Sequence, residues 1–351
     1  MPIEISIYLK LSVLLFALAS GLTYLLVPLN IRLSKKLGLL DHPHIRGIHH
    51  NAVPLAGGLA LAFPILLIQI GMTLFYKDYS TQLAFLTLAG LCILTLGFFD
   101  DKKGFTARYK LIFQIIIVLM LFFAGFRIDI LTNPLGDSLN LGILSLPLTL
   151  IWFLLIINAF NLIDGLDGLA SGIALQVALV LFIVGLLNRN LVLSLLSVIL
   201  AGSCGAFLRF NFYPARIFLG DTGSMFIGLE IASISVLGSA QFKGITAMTL
   251  LIPISVAILP LTDTFMAIIR RLKQRKHIFQ GDKEHIHHKL LHLGLSQKTI
   301  ALISYFITFL FGLVALGFSL ASKKILFLLL VFMLIILISA VLILFKKEFR
   351  K

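Results

Sequence analysis

Hydrophobic positions along this chain come in long unbroken runs, not in the alternating or one-faced patterns of water-soluble strands and helices. A helix that crosses the hydrocarbon of a bilayer needs about 20 mostly apolar residues. On that ruler the chain holds about eleven candidate spans, near residues 5–29, 57–76, 81–99, 108–126, 146–163, 168–187, 190–209, 224–240, 245–270, 299–320 and 325–345. The pattern predicts an all-α integral membrane protein with one polytopic domain over residues 1–351. The fifth and ninth runs are the least regular, and the ninth is expected to kink or break because Pro253 and Pro260 each remove a helix hydrogen bond. The polar stretch RIDILTNPLGDSLN, Arg127 to Asn140, reads as an external loop or a short hairpin. The first run exceeds the roughly 7–15 apolar residues of a cleavable signal, and its basic flank (Arg32, Lys35, Lys36) follows it. It is therefore expected to be a retained span with its N-terminus outside.

Composition supports the bilayer as solvent. The 351 residues are 59% hydrophobic and 13% charged, against about 45–50% and about 25% in soluble domains. The net charge of +14 would point to nucleic acid if it were spread over a soluble surface. Here the basic residues lie between apolar runs, as in the inner loops of membrane proteins, so no nucleic-acid partner is expected. Their placement also orients the chain. With the N-terminus outside, only Lys10, Lys77, Arg127, Arg189, Lys243, Lys323 and Lys324 fall on outer segments, and the remainder of the 29 Lys and Arg fall on inner ones. The C-terminus is then cytoplasmic. All nine histidines share the inner side, as do Asp41, Asp100, Asp101, Asp164, Asp167, Asp221 and Asp263. Cys92 and Cys204 lie inside apolar runs, without metal-ligand or redox spacing.

Five inner segments carry candidate chemistry, within loops at about 31–56, 100–108, 158–168, 209–224 and 271–298. Asp100 and Asp101 close the third run in LGFFDDKKG. A membrane stop is better made with Lys or Arg, and two adjacent carboxylates at the hydrocarbon edge call for a cation. NAFNLIDGLDGLASG holds Asn158, Asn161, Asp164 and Asp167. Its spacing of three would stack amides and acids on one helix face, whereas Gly165 and Gly168 favour a tight loop with exposed backbone.

FLGDTGSMF places Phe218, Asp221, Thr222 and Ser224 at the start of the eighth run. Unpaired N–H groups at such a helix start would form an anion site, and Asp221 would suit Mg²⁺, which takes one or two carboxylates plus phosphate oxygens. The same residues also read as an ordinary cap made by Asp221 or Thr222. RRLKQRKHIFQGDKEHIHHKLLHLG contributes Arg270, Arg271, His285, His287 and His288. Without a thiol this spacing makes a poor zinc cage, and basic groups near carboxylates suit a polyphosphate better. A basic loop on anionic lipid would account for the Lys and Arg but not the histidines. LDHPHIRGIHHNAVPLAGGLA adds Asp41, Arg46, His49 and Gly57-Gly58, with Pro43 and Pro54 favouring an ordered loop over a helix.

Together these groups suit an Mg²⁺-dependent reaction between a soluble polyphosphate and a membrane-bound partner. A secondary transporter is the rival from another class. Transporters place ionisable groups near mid-bilayer at broken helices, often within internal repeats. Here Glu230 is the main mid-span charge and the two halves show no repeat.

The five motifs, in this order, resemble the polyprenyl-phosphate N-acetylhexosamine-1-phosphate transferases over roughly Leu40 to Leu295. The resemblance implies attack by a polyprenyl phosphate on the β-phosphorus of a UDP-sugar, giving a polyprenyl-diphospho-sugar and UMP. It implies Mg²⁺, with Mn²⁺ as a substitute, an active site on the cytoplasmic face of a bacterial inner membrane, and a homodimer in some members. By position it makes Asp100 the candidate base on the lipid phosphate and Asp101 a support for metal or diphosphate. Asn161, Asp164 and Asp167 match positions near nucleotide and metal, Phe218 the residue stacked on uracil, and Asp221 the Mg²⁺ ligand, with Asn161 beside it. His285, His287 and His288 match the motif on the sugar diphosphate. Arg46, His49, Arg270 and Arg271 are expected to bind substrate. Direct attack and a covalent aspartyl intermediate both remain open. The HIHH run and eleven spans match the UDP-N-acetylglucosamine branch better than the peptidoglycan branch, which carries three consecutive histidines and ten spans. His44 and Gly47 depart from the Asn and Lys common in the first loop.

Overall fold

A computed structural model describes residues 2–41, 52–131, 139–240 and 294–317, with scattered helical positions between 328 and 339. Among the described residues, continuous helices occupy nine of the eleven predicted segments. They are α1 (Pro2–Leu37), α2 (Gly57–Phe75), α3 (Ser80–Lys103), α4 (Ala107–Phe123), α5 (Ser145–Ile163), α6 (Leu169–Leu187), α7 (Leu191–Asn211), α8 (Gly220–Ala240) and α9 (Gln297–Gly317). Seven helical segments among the described residues are long and apolar enough to cross a membrane. The segment at 245–270, with its predicted kink, lies outside the described residues, and the one at 325–345 is described only at scattered positions. The polar stretch after α4 is a hairpin as predicted. Its strands β3 (Ile130–Leu131) and β4 (Leu139–Asn140) pair antiparallel. A second antiparallel pair joins β1 (Leu40–Asp41) to β2 (Val53–Pro54), on either side of the first histidine-bearing stretch of sequence.

The bundle is apolar outside as well as inside. Val13, Leu14, Leu25 and Leu33 on α1, and Phe63, Ile70 and Leu74 on α2, are all exposed. Water would penalise such a surface and a bilayer would not. The chain is a multi-pass membrane protein.

α8 is the helix around which the others are arranged. Met225, Phe226, Ile227, Leu229, Ile231, Ala232, Ile234 and Val236 are fully buried, and α8 packs on α2, α3, α5, α6 and α7. Small residues allow this approach, as is usual where lipid provides no hydrophobic drive between helices. A Cβ on Gly97 of α3 would lie 2.5 Å from Thr222 Cα, and one on Gly228 of α8 would lie 2.6 Å from Ile157 Cα of α5. Gly58 of α2 meets the Gly223 backbone so closely that a Cβ there would overlap it. The Gly57 N–H donates to Phe218 O at 3.1 Å, and the Gly58 N–H to Leu219 O at 3.0 Å, so the start of α2 is tied to the segment leading into α8.

Candidate active site

Four helix ends meet where α3 and α5 finish and α4 and α8 begin. Asp100 and Asp101 lie in the last turn of α3, and Gly104 in the left-handed conformation (φ 69°) ends that helix and reverses the chain. The reversal is short, so Lys110 in the first turn of α4 returns to the same place. Its ammonium pairs with Asp100 and, at 2.5 Å, with Asp221 at the start of α8. Asp100 also accepts the Phe105 N–H at 2.6 Å.

Asp101 does something different. Its Oδ1 accepts the Asp221 N–H at 2.8 Å, and its Oδ2 accepts the Thr222 N–H at 3.1 Å and the Thr222 hydroxyl at 2.6 Å. The first N–H groups of any helix lack partners within it. A carboxylate is the strongest acceptor for them and complements the helix dipole. Asp101 therefore caps α8 from a neighbouring helix. A local cap by Asp221 or Thr222, and an open anion site on these N–H groups, were the expectations from sequence. Both give way to this arrangement, because Asp101 takes up the N–H groups of residues 221 and 222. Gly220 makes it fit. Its φ is +72°, and a Cβ there would lie 2.7 Å from Asp101 Oδ2.

α5 supplies the amides. Asn161 Nδ2 donates to Asp221 Oδ1 at 2.9 Å and to Ser224 Oγ at 3.1 Å. One turn earlier, Asn158 Nδ2 reaches Gln114 Oε1 of α4 at 2.9 Å. Both readings of NAFNLIDGLDG hold in part. Asn158 and Asn161 lie on the helix, Asp164 is its C-terminal cap residue, and a turn follows to Gly168 (φ 75°), the residue before α6. Enclosure by the protein pushes the Asp164 carboxyl well above the usual carboxylate range; the negative charges of Asp221, Asp101 and Asp167 add to this, and the Gly220 N–H works against it. Asp167 Oδ2 accepts the Ala215 N–H at 2.9 Å, which ties this turn to the α7–α8 connection.

Of the residues singled out in the sequence, Asp100, Asp101, Asn161, Asp164 and Asp221 come together. Asp167 borders them. The half-buried Phe218 is held through its backbone, its N–H donating to Pro54 O at 2.8 Å. Arg46, His49, Arg270, Arg271, His285, His287 and His288 lie outside the described residues. Sequence reasoning missed Lys110, which counted only as one more inner basic residue. The available signal was a lysine in the first turn of the next helix, after a three-residue reversal. A cleft of about 200 Å³ adjoins the site, with Leu37, Leu40, Leu55 and Phe98 on its apolar side and Asp101, Lys102 and Thr222 on its polar side.

Among the described residues, no three of His, Cys, Asp or Glu stand close enough to cage a metal by themselves. Mg²⁺ needs no such cage, because it keeps waters and substrate phosphates as ligands beside one or two carboxylates. The donor set fits that habit. The Asp100 and Asp221 carboxyls converge on one cation, the Lys110 ammonium, with the Asn161 amide alongside. Were Mg²⁺ held here, Asp221 would be the ligand, with Asp100 and Asn161 near enough to assist.

Residues 83–239, which carry three of the five motifs, match the model of glycosyl transferase family 4. A probable undecaprenyl-phosphate N-acetylglucosaminyl 1-phosphate transferase of Bacillus subtilis is 37% identical over 91% of this chain and 89% of its own. A decaprenyl-phosphate N-acetylglucosaminephosphotransferase of Mycobacterium tuberculosis is 34% identical over 81% and 76%. A phospho-N-acetylmuramoyl-pentapeptide-transferase of Caldicellulosiruptor bescii is more distant, at 29% over 77% and 84%. With such likeness along most of both chains, the protein belongs to glycosyl transferase family 4, among the polyprenyl-phosphate N-acetylhexosamine-1-phosphate transferases that its motifs resemble.

Proposed function

We propose that this chain transfers N-acetylglucosamine 1-phosphate from UDP-N-acetylglucosamine to undecaprenyl phosphate, with Mg²⁺, at the cytoplasmic face of a bacterial inner membrane. One observation carries the reading: Asp100, Lys110, Asn161 and Asp221, from four different helices, meet at one end of an apolar bundle. There a nucleotide in solution can reach a phosphate tethered in lipid.

An oxygen of the acceptor phosphate bonds to the β-phosphorus of the donor. The bond from that phosphorus to the oxygen bridging the two phosphates breaks, and UMP leaves with that oxygen. Asp100 takes the proton from the acceptor phosphate if it arrives protonated. Lys110 keeps Asp100 and Asp221 from repelling each other and offers positive charge to the incoming phosphates. Asn161, whose amide also donates to Ser224 Oγ, holds the Asp221 carboxylate in one orientation. Mg²⁺, when bound at Asp221, supplies neutralisation of the diphosphate. Phe218 is assigned to the uracil, and His285, His287 and His288 to the sugar diphosphate, on the strength of the family resemblance. The product is the lipid-linked sugar on which an envelope polysaccharide is begun.

The test is UMP release by purified protein from a panel of UDP-sugars with undecaprenyl phosphate. Turnover of UDP-N-acetylglucosamine, lost on chelation and restored by Mg²⁺, is expected. Selective turnover of UDP-N-acetylmuramoyl-pentapeptide would move the protein to the peptidoglycan branch and overturn the donor assignment.

A further inference from the structure

One acid lies far from this convergence. Glu230, in the middle of α8, has no exposed surface. Gln69 of α2, equally buried, donates through Nε2 to Glu230 Oε2 at 2.8 Å, and Thr87 of α3 stands 3.5 Å from Gln69 Oε1. Among the described residues, Glu230 Oε1 has no hydrogen-bond partner. A carboxyl and a carboxamide buried among apolar helices are costly. An apolar pair would fill the same space without that cost, so packing does not account for them.

Their position does. Glu230 is nine positions after Asp221, about 13 Å of rise and about two and a half turns, which puts the two carboxyls on opposite sides of α8. Asp221 faces α4 and α5 through Lys110 and Asn161, and Glu230 faces α2. Apolar helix surfaces discriminate weakly between neighbouring registers, and a single buried polar pair discriminates strongly. Asp101 holds the start of α8, and Gln69 grips it midway.

We propose that Glu230 is a positioning residue whose hydrogen bond with Gln69 fixes the height and rotation of α8, and so the place of Asp221 against Lys110 and Asn161. The inference rests on the assignment of Asp221 as the Mg²⁺ ligand.

The test uses full-length protein in lipid nanodiscs, as wild type, Glu230→Leu, Gln69→Leu, Glu230→Gln, the double Leu variant, and the exchange Glu230→Gln with Gln69→Glu. Mn²⁺ affinity is read by electron paramagnetic resonance without substrate, and kcat and donor KM by UMP release, below the melting point of every variant. Each single Leu variant should weaken Mn²⁺ binding and lower kcat by about tenfold, the weight of one buried hydrogen bond, with donor KM within about twofold. The double Leu variant should be no worse than either single one. Glu230→Gln and the exchange, which keep a hydrogen-bonded pair, should stay near wild type. Should Glu230→Leu not survive extraction, Gln69→Leu and the exchange carry the same comparison. Wild-type Mn²⁺ affinity and kcat in the folded Leu variants would overturn the inference. So would a Glu230→Gln as impaired as Glu230→Leu, since the acid itself would then matter. Wild-type protein that binds Mn²⁺ but releases no UMP would instead overturn the assigned reaction, and Mn²⁺ affinity would still report on the register of α8.

Discussion

Thr222→Val separates the role given to Asp101 from direct catalysis. Val keeps the shape of Thr at a fully buried position and removes only the hydroxyl that donates to Asp101 Oδ2 at 2.6 Å. The two backbone donors, at 2.8 and 3.1 Å, remain. A hydrogen bond to a charged group contributes about 1.5–3 kcal/mol. If half of that is expressed as misplacement of Asp221, kcat falls about 3–12-fold, at about 1.4 kcal/mol per tenfold. Asp101→Asn keeps one carbonyl acceptor and should cost a similar amount, and Asp101→Ala, which strips all three bonds, should cost about 100-fold or more. The discriminating quantity is the coupling between Asp101→Asn and Thr222→Val in a double-mutant cycle on kcat. Residues in one hydrogen-bond network couple by about 0.5–3 kcal/mol. If Asp101 instead acted on substrate, Asp101→Ala would abolish turnover, Thr222→Val would stay within about twofold of wild type, and the two effects would add. That outcome refutes the capping role.

Lys110→Met removes the cation that Asp100 and Asp221 share. The partly buried site should lose about 2 kcal/mol of thermal stability, kcat should fall at least tenfold, and added Mg²⁺ should recover part of the melting temperature but not the rate. Asp221→Ala should abolish the Mg²⁺-induced rise in melting temperature, which at one hundred times Kd is worth about 2.7 kcal/mol in wild type. Gly97→Ala forces a methyl to 2.5 Å from Thr222 Cα, where backbone cannot yield cheaply. It should cost about 1–3 kcal/mol by overpacking and lower kcat, read by thermal melt and UMP release.

The helices were legible because a bilayer demands long apolar runs, and α1 to α9 fall on nine of the runs read from the sequence. The acids were legible because a carboxylate at the hydrocarbon edge, as at Asp100, Asp164 or Asp221, is costly without a purpose. What each acid does was not. Asp100 and Asp101 are adjacent in sequence, but successive residues on a helix point about 100° apart. One therefore meets Lys110 and the other the start of α8. Nor does any local pattern show that α8 is capped by a residue 120 positions earlier in the chain. The small residues Gly58, Gly97 and Gly223 were visible as letters. Their contribution is the close approach of α2 and α3 to α8, a property of pairs of helices that no single run encodes.

The most direct test of the convergence is a cryo-electron microscopy map of the protein in nanodiscs with Mg²⁺ and UDP-N-acetylglucosamine. The account predicts a metal at about 2.1 Å from an Asp221 carboxylate oxygen, bridging to the donor diphosphate, with Asp101 still holding the Asp221 and Thr222 N–H groups. A metal and diphosphate bound away from the ends of α3, α5 and α8, with Asp221 still paired to Lys110, would contradict it.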